Sequence, residues 1–238
     1  MNRIFVTLLA ILTFSATVFG QEPKLETDLA LKYIAFTPKK VVHAPVIILL
    51  HGYGSDEKDL YGLRSVFPPN YIVVSARAPY PLAGGGYQWY ESTLINGQKD
   101  GKKEELDNSK ALLTKFVTQI VNKYNANARN VYVMGFSQGA IMSYAVGLSA
   151  PDKVKGIGVL SGMLYPSVRE TIVMSPQLKK LKIFIAHGTA DERITFAYGR
   201  AAKDHLVSIG LKPEFHQYEA MGHSISNTVM SDLMAWLK

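Results

Sequence analysis

The chain has 238 residues, of which 47% are hydrophobic and 19% charged, and this balance predicts one folded domain with a continuous core rather than a disordered polymer. It contains no cysteine, so disulfide bonds, thiol nucleophiles and thiolate metal sites are excluded within this sequence. The formal net charge is +7 at pH 7, but the basic residues are scattered in ones and twos, so we expect no nucleic-acid partner.

The first twenty residues differ in composition from the rest of the chain. A short basic start that includes Arg3 precedes an apolar run over 4–18, which ends at Gly20. This pattern is typical of a secretory signal peptide, and the run is too short for a membrane anchor, which needs about 20 uninterrupted apolar residues. We therefore expect a signal peptide at 1–20, a mature domain at 21–238, export to the periplasm or outside the cell, and no stable membrane insertion after cleavage.

Beyond the leader, apolar β-branched runs alternate with amphipathic stretches. Strands are predicted at 29–36, 45–50, 71–76, 131–136, 154–160, 181–186 and 213–218. Helices are predicted at 56–63, 106–124, 138–149, 194–211 and 227–238. The segment 77–103 is predicted as a long loop without periodicity, and 162–180 holds at best one short helix. This order predicts an α/β fold with a mostly parallel central sheet, helices on both faces and no large cap domain.

The segment from Asn130 to Ala140 carries the strongest functional pattern. An apolar strand runs directly into Ser137, with Gly135 and Gly139 two residues before and after it. Small residues at those positions let a strand and a helix approach each other across a tight turn that exposes a serine hydroxyl, which is the geometry of a nucleophile elbow. The apolar helix predicted after the turn favours this interpretation over a chance occurrence of the motif. Ser137 is therefore the predicted nucleophile.

A glycine-spaced loop at 51–54 follows the buried strand predicted at 45–50. Such a loop at the carboxyl end of a strand can direct backbone N–H groups into a site, where they stabilise negative charge on a substrate oxygen. We predict the backbone N–H groups of Tyr53 and Gln138 as this oxyanion hole. An ordinary strand-to-helix turn is the competing interpretation.

Two adjacent aromatic residues, Trp89 and Tyr90, lie in the long loop at 77–103. We predict that they bind the acyl part or the leaving group of a substrate, although burial in the core beneath the loop is an equal alternative for such a pair. The glycines at 84–86 are not a phosphate-binding pattern, because no strand precedes them and no Lys-Ser or Lys-Thr follows. We expect no cofactor and no metal, since no His, Asp and Glu cluster has ligand spacing.

A serine hydroxyl attacks only with help from a histidine base, which needs a carboxylate to fix its tautomer. In hydrolases with this elbow the order along the chain is serine, acid, histidine, and the last two lie on loops after later strands. Asp191 and His223 meet both conditions, and Glu192 is a second choice for the acid. For the histidines beside turn glycines, His51 and His187, a structural hydrogen bond is expected instead.

Five short segments between residue 45 and the C-terminal end together point to one family. They are His51-Gly52-Tyr53-Gly54, Trp89-Tyr90, Gly135-Phe136-Ser137-Gln138-Gly139, His187-Gly188-Thr189-Ala190-Asp191 and Gly222-His223-Ser224. This set resembles the phospholipase/carboxylesterase family of small α/β-hydrolases, which includes the acyl-protein thioesterases. The resemblance implies the α/β-hydrolase fold, a triad of Ser137, Asp191 and His223, oxyanion donors at Tyr53 and Gln138, and Trp89 near the acyl site.

Two departures from the family pattern bear on the substrate. Tyr53 stands where leucine is frequent, and Glu91 stands where aspartate is frequent after Trp-Tyr. Because an exported protein fits cytosolic depalmitoylation poorly, we expect a serine carboxylesterase, monomeric or homodimeric, that hydrolyses a small-molecule ester through an acyl-enzyme. Acyl-thioesterase or lysophospholipase activity is the alternative. A non-catalytic hydrolase fold that binds a ligand is less favoured, because binding needs no nucleophile, base and acid together.

Overall fold

The computed structural model describes residues 23–39 and 42–238, so the predicted signal peptide lies outside the described residues. The strands are β1 (Tyr33–Phe36), β2 (Val46–Leu50), β3 (Ile72–Ala76), β4 (Tyr80–Pro81), β5 (Tyr87–Gln88), β6 (Ser92–Ile95), β7 (Gln98–Gly101), β8 (Val131–Phe136), β9 (Gly156–Leu160), β10 (Lys182–Gly188) and β11 (Glu214–Tyr218). The α-helices are α1 (Glu57–Tyr61), α2 (Lys103–Lys123), α3 (Gln138–Ser149), α4 (Pro166–Glu170), α5 (Phe196–Ser208) and α6 (Asn227–Leu237).

A seven-stranded sheet forms the centre of the molecule, in the order β1-β3-β2-β8-β9-β10-β11. Strand β1 is antiparallel to β3, and the other neighbouring pairs of this sheet are parallel. The predicted mostly parallel sheet is therefore confirmed. Because parallel strands end at the same edge, the loops that follow β2, β3, β8, β9, β10 and β11 meet along one edge of the sheet.

Helices cover both faces of this sheet. In β2, Ile47 and Leu49 belong to the hydrophobic cluster that includes side chains of α1 and α6, whereas Val46, Ile48 and Leu50 belong to the cluster that includes side chains of α2, α3 and α5. All five residues of β2 are buried. Burial on both faces explains why this strand is a continuous apolar run instead of an alternating one.

The segment 77–103 is more ordered than the sequence analysis predicts. Two hairpins, β4–β5 and β6–β7, occupy most of it, and α2 begins at Lys103 instead of residue 106. The second hairpin turns at Asn96-Gly97, whose φ angles of 52° and 76° are adopted at low cost by asparagine and glycine. This Asn-Gly pair is a hairpin pattern that the sequence contains and the long-loop prediction overlooked.

The connection between β9 and β10 stays short. It contains α4 and a short 3₁₀ helix at Leu178–Lys180, so within the described residues it builds no cap domain over the sheet. None of the described helices combines the length and the apolarity that crossing a membrane requires.

Replacing Gly139 with alanine tests the contact between the start of α3 and β2. A Cβ atom at Gly139 would collide with the backbone carbonyl of Leu50, which cannot move aside as a flexible side chain can. We expect Gly139→Ala to lower the free energy of unfolding, measured by urea denaturation, by about 1–3 kcal/mol. Gly84→Ala is the control, because a Cβ there meets no atom within 4 Å. Similar losses in both variants would contradict this contact.

Candidate active site

Ser137 occupies a strained turn at the carboxyl edge of the sheet. It lies between β8 and α3 with φ 54° and ψ −116°, in a region that costs a non-glycine residue about 1–3 kcal/mol. Its N–H donates to the carbonyl of Leu160 at 2.9 Å, which ties the turn to the end of β9. A Cβ at Gly135 would collide with the backbone of Gly139, so the strand and the helix approach as closely as the sequence predicts.

His223 lies between Ser137 and Asp191. Its Nε2 is 2.9 Å from the hydroxyl oxygen of Ser137, and its Nδ1 is 2.7 Å from Oδ2 of Asp191. Because an ionised carboxylate only accepts hydrogen bonds, Nδ1 carries the proton and Nε2 accepts from the serine hydroxyl. In this tautomer the imidazole is placed to remove the serine proton. The structure brings the three predicted residues together, and their catalytic roles stay predictions.

The carboxylate of Asp191 is oriented by the backbone of its own turn. Its Oδ1 accepts hydrogen bonds at 2.9 Å from the N–H groups of Arg193 and Ile194, which leaves Oδ2 for His223. The neighbouring Glu192 is exposed to solvent. This geometry favours Asp191 over Glu192 as the partner of the histidine.

The loops after β10 and β11 hydrogen-bond to each other. The N–H of Thr189 donates to the carbonyl of Tyr218 at 2.9 Å, and the N–H of Ala190 donates to the carbonyl of Met221 at 3.0 Å. These two bonds precede Asp191 in one loop and His223 in the other. The separation of acid and histidine is therefore set by backbone contacts, not by the side chains alone.

His187 is hydrogen-bonded to the turn that carries Asp191. Its ring is fully buried, and Nε2 donates to the carbonyl of Ile194 at 2.7 Å while lying 3.5 Å from Oδ2 of Asp191. Burial lowers the pKa of His187, so the ring stays neutral beside the carboxylate. The structural hydrogen bond expected from the sequence is present.

The two predicted oxyanion donors lie beside Ser137. Gln138 is the first residue of α3, so its N–H has no carbonyl one turn earlier to bond. Among the described residues, no backbone carbonyl accepts a hydrogen bond from the N–H of Tyr53. The loop at 51–54 passes close to the nucleophile, since a Cβ built on Gly52 would be 3.4 Å from the Cβ of Ser137. Both N–H groups are thus available near the hydroxyl, and their role remains a prediction.

The side chain of Gln138 connects the elbow to the segment before β6. Its Oε1 accepts from the N–H of Trp89 and its Nε2 donates to the carbonyl of Tyr90, each at 2.8 Å. The indole N–H of Trp89 donates to the carbonyl of His51 at 2.9 Å. These bonds join the elbow, the loop after β2 and the aromatic pair into one rigid unit.

The side chain of Trp89 lies in the core beneath the loop, and its part in substrate binding stays a prediction. Its side chain is 0% exposed and forms no part of the cavity at Ser137. This placement agrees with the competing interpretation, an aromatic in the core beneath the loop. The backbone N–H of Trp89 donates to Gln138 and its indole N–H donates to His51, and both bonds anchor the elbow. Tyr90 does line the cavity, where its ring lies edge-on to Tyr165 at a centroid distance of 5.7 Å. Burial raises the pKa of the Tyr90 hydroxyl well above its usual value, so it stays neutral.

A cavity of about 390 Å³ opens at Ser137, a volume at the lower end of the range of roughly 300–1,000 Å³ for small-molecule sites. Its lining includes residues that the sequence analysis did not select. The β6–β7 hairpin contributes Ser92, Thr93, Leu94 and Lys99, helix α3 contributes Ile141, and the connections after β9 and β10 contribute Met163, Tyr165 and Ile194. These residues come from four separate segments, and only the Asn96-Gly97 turn could have indicated the hairpin.

A buried ion pair holds the helix that follows the 51–54 loop. Arg77 donates from Nη2 to Glu57 at 2.7 Å and also from Nε, while its Nη1 donates to the hydroxyl of Tyr87 at 3.0 Å. Burial of Glu57 acts to raise its pKa, but the hydrogen bonds from Arg77 outweigh this effect and the pKa lies below its usual value. The pair fixes α1 against the end of β3, and removing one partner of such a pair typically costs about 3–5 kcal/mol.

His51 links the ends of β2 and β3. The N–H of Ala78 donates to Nε2 at 3.1 Å, so the proton of the neutral ring is on Nδ1, which donates to the carbonyl of Gly52 at 2.7 Å. Burial lowers the pKa of His51. As with His187, the sequence expectation of a structural hydrogen bond agrees with the structure.

Comparisons with known proteins agree with one another. A profile of the phospholipase/carboxylesterase family matches residues 31–238. A probable carboxylesterase of Arabidopsis thaliana is 30% identical over 210 residues, which cover 81% of this chain and 77% of that protein. Acyl-protein thioesterase 1 of Yarrowia lipolytica is 28% identical over 221 residues, 84% of this chain and 94% of that protein. The crystal structure of a carboxylesterase from Mesorhizobium loti has a TM-score of 0.75 at 23% identity, covers 90% of this chain and 98% of its own, and shows the shared fold.

The buried histidines predict a loss of stability in mild acid. Burial lowers the pKa of both His51 and His187, so the unfolded chain binds protons below about pH 6.5 while the folded protein does not. Their contribution to stability is therefore complete above about pH 6.5 and is lost as the pH falls from there through the folded-state pKa values. Each histidine should lower the free energy of unfolding by up to about 1.4 kcal/mol per pH unit in that window.

Urea denaturation at several pH values between 7.5 and 5 measures this slope. We expect His51→Gln to have a lower free energy of unfolding than the wild type at pH 7.5. Its free energy of unfolding should then fall less steeply as the pH is lowered, by up to the contribution of one histidine. His43→Gln is the control, because His43 is exposed and its replacement leaves the buried sites unchanged. A slope in His51→Gln as steep as in the wild type would contradict the assigned neutral state.

Proposed function

Because the chain belongs to the phospholipase/carboxylesterase family and is a serine hydrolase of that family, we propose that it hydrolyses a small-molecule carboxylic ester through an acyl-enzyme on Ser137. The observation that carries this proposal is the hydrogen-bonded series from Asp191 through His223 to Ser137 at the wall of a cavity. A ligand-binding protein has no need for such a series. The proposal extends the family assignment to particular residues and to a class of substrate.

The proposed reaction uses each group in turn. As Oγ of Ser137 attacks the ester carbonyl, Nε2 of His223 takes the hydroxyl proton, and the N–H groups of Tyr53 and Gln138 stabilise the charge on the carbonyl oxygen. His223 then gives the proton to the departing alcohol, which leaves an acyl group on Ser137. A water molecule then attacks this acyl group while His223 takes its proton, and His223 returns that proton to Oγ of Ser137 as the bond to the acyl group breaks and the acid leaves. Asp191 stabilises the imidazolium in both halves of the reaction.

Acyl-thioester hydrolysis is the second candidate, because one of the reported relatives is an acyl-protein thioesterase. The same acyl-enzyme would form, with a thiol in place of an alcohol as the leaving group. We prefer the carboxylic ester because the composition of residues 1–20 predicts export. An exported enzyme would not meet acylated cytosolic proteins. Rates on butyryl esters and butyryl thioesters of matched leaving groups distinguish the two candidates.

Export is part of the same proposal. The basic start, the apolar run and the small residue at position 20 support a cleaved leader. N-terminal sequencing of protein recovered from expressing cells should find a chain that begins near Gln21. An intact N-terminus on active protein would contradict export through cleavage.

Ser137→Ala tests the nucleophile. The variant should fold normally, because the hydroxyl lies at an open site, but it should lose nearly all ester hydrolysis. The remaining oxyanion hole and binding groups typically supply only about 10³ to 10⁴ over water. The measurement is kcat/KM for p-nitrophenyl butyrate, with the unfolding midpoint as a check of folding. Ser143→Ala, in helix α3, is the control and should keep the wild-type activity. Substantial activity in Ser137→Ala would exclude Ser137 as the nucleophile.

A second pair of variants tests the acid. Asp191→Asn should lower kcat by roughly 10³ to 10⁴, because an amide favours the wrong tautomer of His223. Glu192→Gln changes the adjacent acid in the same way and should leave kcat near the wild-type value. If the two variants exchange these outcomes, Glu192 is the acid.

The open cleft predicts a limit on acyl length. No cap covers the site within the described residues, and the cavity holds about 390 Å³. Each buried methylene contributes about 0.8 kcal/mol until the cavity is filled, so kcat/KM should rise over about two to eight acyl carbons and then level off. A series of p-nitrophenyl esters measures this, with and without micelles. A continued rise to long chains, or activation by micelles, would indicate a tunnel or lid.

A further inference from the structure

The cavity at Ser137 carries a single charged side chain among its described lining residues. Lys99 supplies this charge, and the other lining residues offer hydroxyl groups, an amide, aromatic rings and aliphatic chains. The acidic residue of the site, Asp191, lies behind His223 and does not line the cavity. The cavity therefore presents a positive charge to whatever enters it.

The charge of Lys99 has no carboxylate partner among the described residues. The neighbouring Asp100 accepts hydrogen bonds from Gly101 and Ser167, and Glu105, further along the chain, pairs with Lys102 at 2.9 Å. The ammonium of Lys99 lies 5.9 Å from the ring centre of Tyr198, at the outer limit of a cation–π contact. These acids are thus committed elsewhere, and the ammonium is available to a ligand.

The β6–β7 hairpin places Lys99 at the cavity. In the β6–β7 hairpin it pairs with Leu94, and cross-strand partners present their side chains on the same face. The next residue, Asp100, is buried on the opposite face, where it accepts from the N–H of Ser167 at 3.0 Å. The bond from Asp100 to α4 anchors the hairpin at the cavity, whose lining includes Lys99 and Leu94.

We propose that the ester hydrolysed by this protein carries an anionic group, such as a carboxylate, and that Lys99 binds this group. The proposal rests on the proposed esterase function and narrows its substrate class. Because Lys99 and Ser137 line one cavity of about 390 Å³, a single small ester can reach both. Leu94, the cross-strand partner of Lys99, also lines the cavity and offers an apolar contact to the rest of the substrate, so the preferred substrate is an ester with a charged end.

Two matched pairs of esters test the proposal, one for each half of the substrate. On the acyl side, mono-p-nitrophenyl adipate is compared with p-nitrophenyl hexanoate, which has the same chain length without the carboxylate. On the alcohol side, the hexanoyl ester of 3-hydroxybenzoate is compared with that of 3-hydroxybenzamide. We expect the wild type to prefer the anionic member of one pair by about three- to fivefold in kcat/KM, mainly through KM, at low ionic strength. The preference should shrink in 0.5 M NaCl, where salt screens the pair.

Variants of Lys99 give the decisive comparison. Lys99→Gln should abolish the preference and Lys99→Glu should reverse it, where the preference is the ratio of kcat/KM for the anionic ester to kcat/KM for its neutral partner in the same variant. Lys115→Glu is the matched control, because Lys115 is exposed on α2 and changes the net charge equally without lining the cavity. It should keep the wild-type preference.

The outcomes separate the two proposals. Equal ratios of anionic to neutral rates in the wild type, Lys99→Gln and Lys99→Glu would overturn the role of Lys99 while the esterase function stands. If Lys115→Glu removes the preference for anionic esters as fully as Lys99→Glu does, the preference comes from the overall charge of the protein. This result would also overturn the proposed role of Lys99. Failure to hydrolyse any of the four esters would overturn both the esterase function and the substrate class.

Discussion

The strained turn at Ser137 depends on the close approach of α3 to β2 and β8. Gly135 faces the backbone of Gly139, and Gly139 faces the carbonyl of Leu50, with no room for a side chain at either position. The sheet thus imposes the positive φ of Ser137, and burial of an almost wholly apolar α3 offsets its cost. An exposed hydroxyl at the end of a rigid strand is the result. The other parts of the candidate site are arranged around this fixed point.

Polar contacts between loops hold the remaining groups near that point. Gln138 connects the elbow to the aromatic pair, His51 connects β2 to β3, and Glu57 connects α1 to Arg77. The loops after β10 and β11 are joined by their backbones, which brings Asp191 and His223 together. Most of these bonds are buried, and a buried hydrogen bond is stronger than a surface contact and costly to break. The site is therefore preorganised without metal coordination or disulfide bonds among the described residues.

The sequence predicts the parts of this site that depend on residue chemistry. Ser137, Asp191 and His223 could be selected because only a few residue types can serve as nucleophile, acid and base, and each of the three follows a strand in the required order. The structure brings the three together, and their catalytic roles stay predictions. The sheet was predictable because buried parallel strands such as β2 are continuous apolar runs. The burial of Trp89 was not predictable, because an aromatic side chain in a loop suits burial as well as binding, and its hydrogen bonds to Gln138 and His51 join residues distant in sequence. Lys99 was missed for a similar reason, since its position depends on the register of a hairpin.

Covalent bonding to Ser137 is the feature from which the proposed chemistry follows. Treating the folded protein with a fluorophosphonate, followed by proteolysis and mass spectrometry of the peptides, identifies the residue that attacks. One phosphonyl group on Ser137, with loss of ester hydrolysis in proportion to labelling, is the expected result. Labelling of a different residue, or an active protein that takes up no label, would contradict the assignment of Ser137 as the nucleophile.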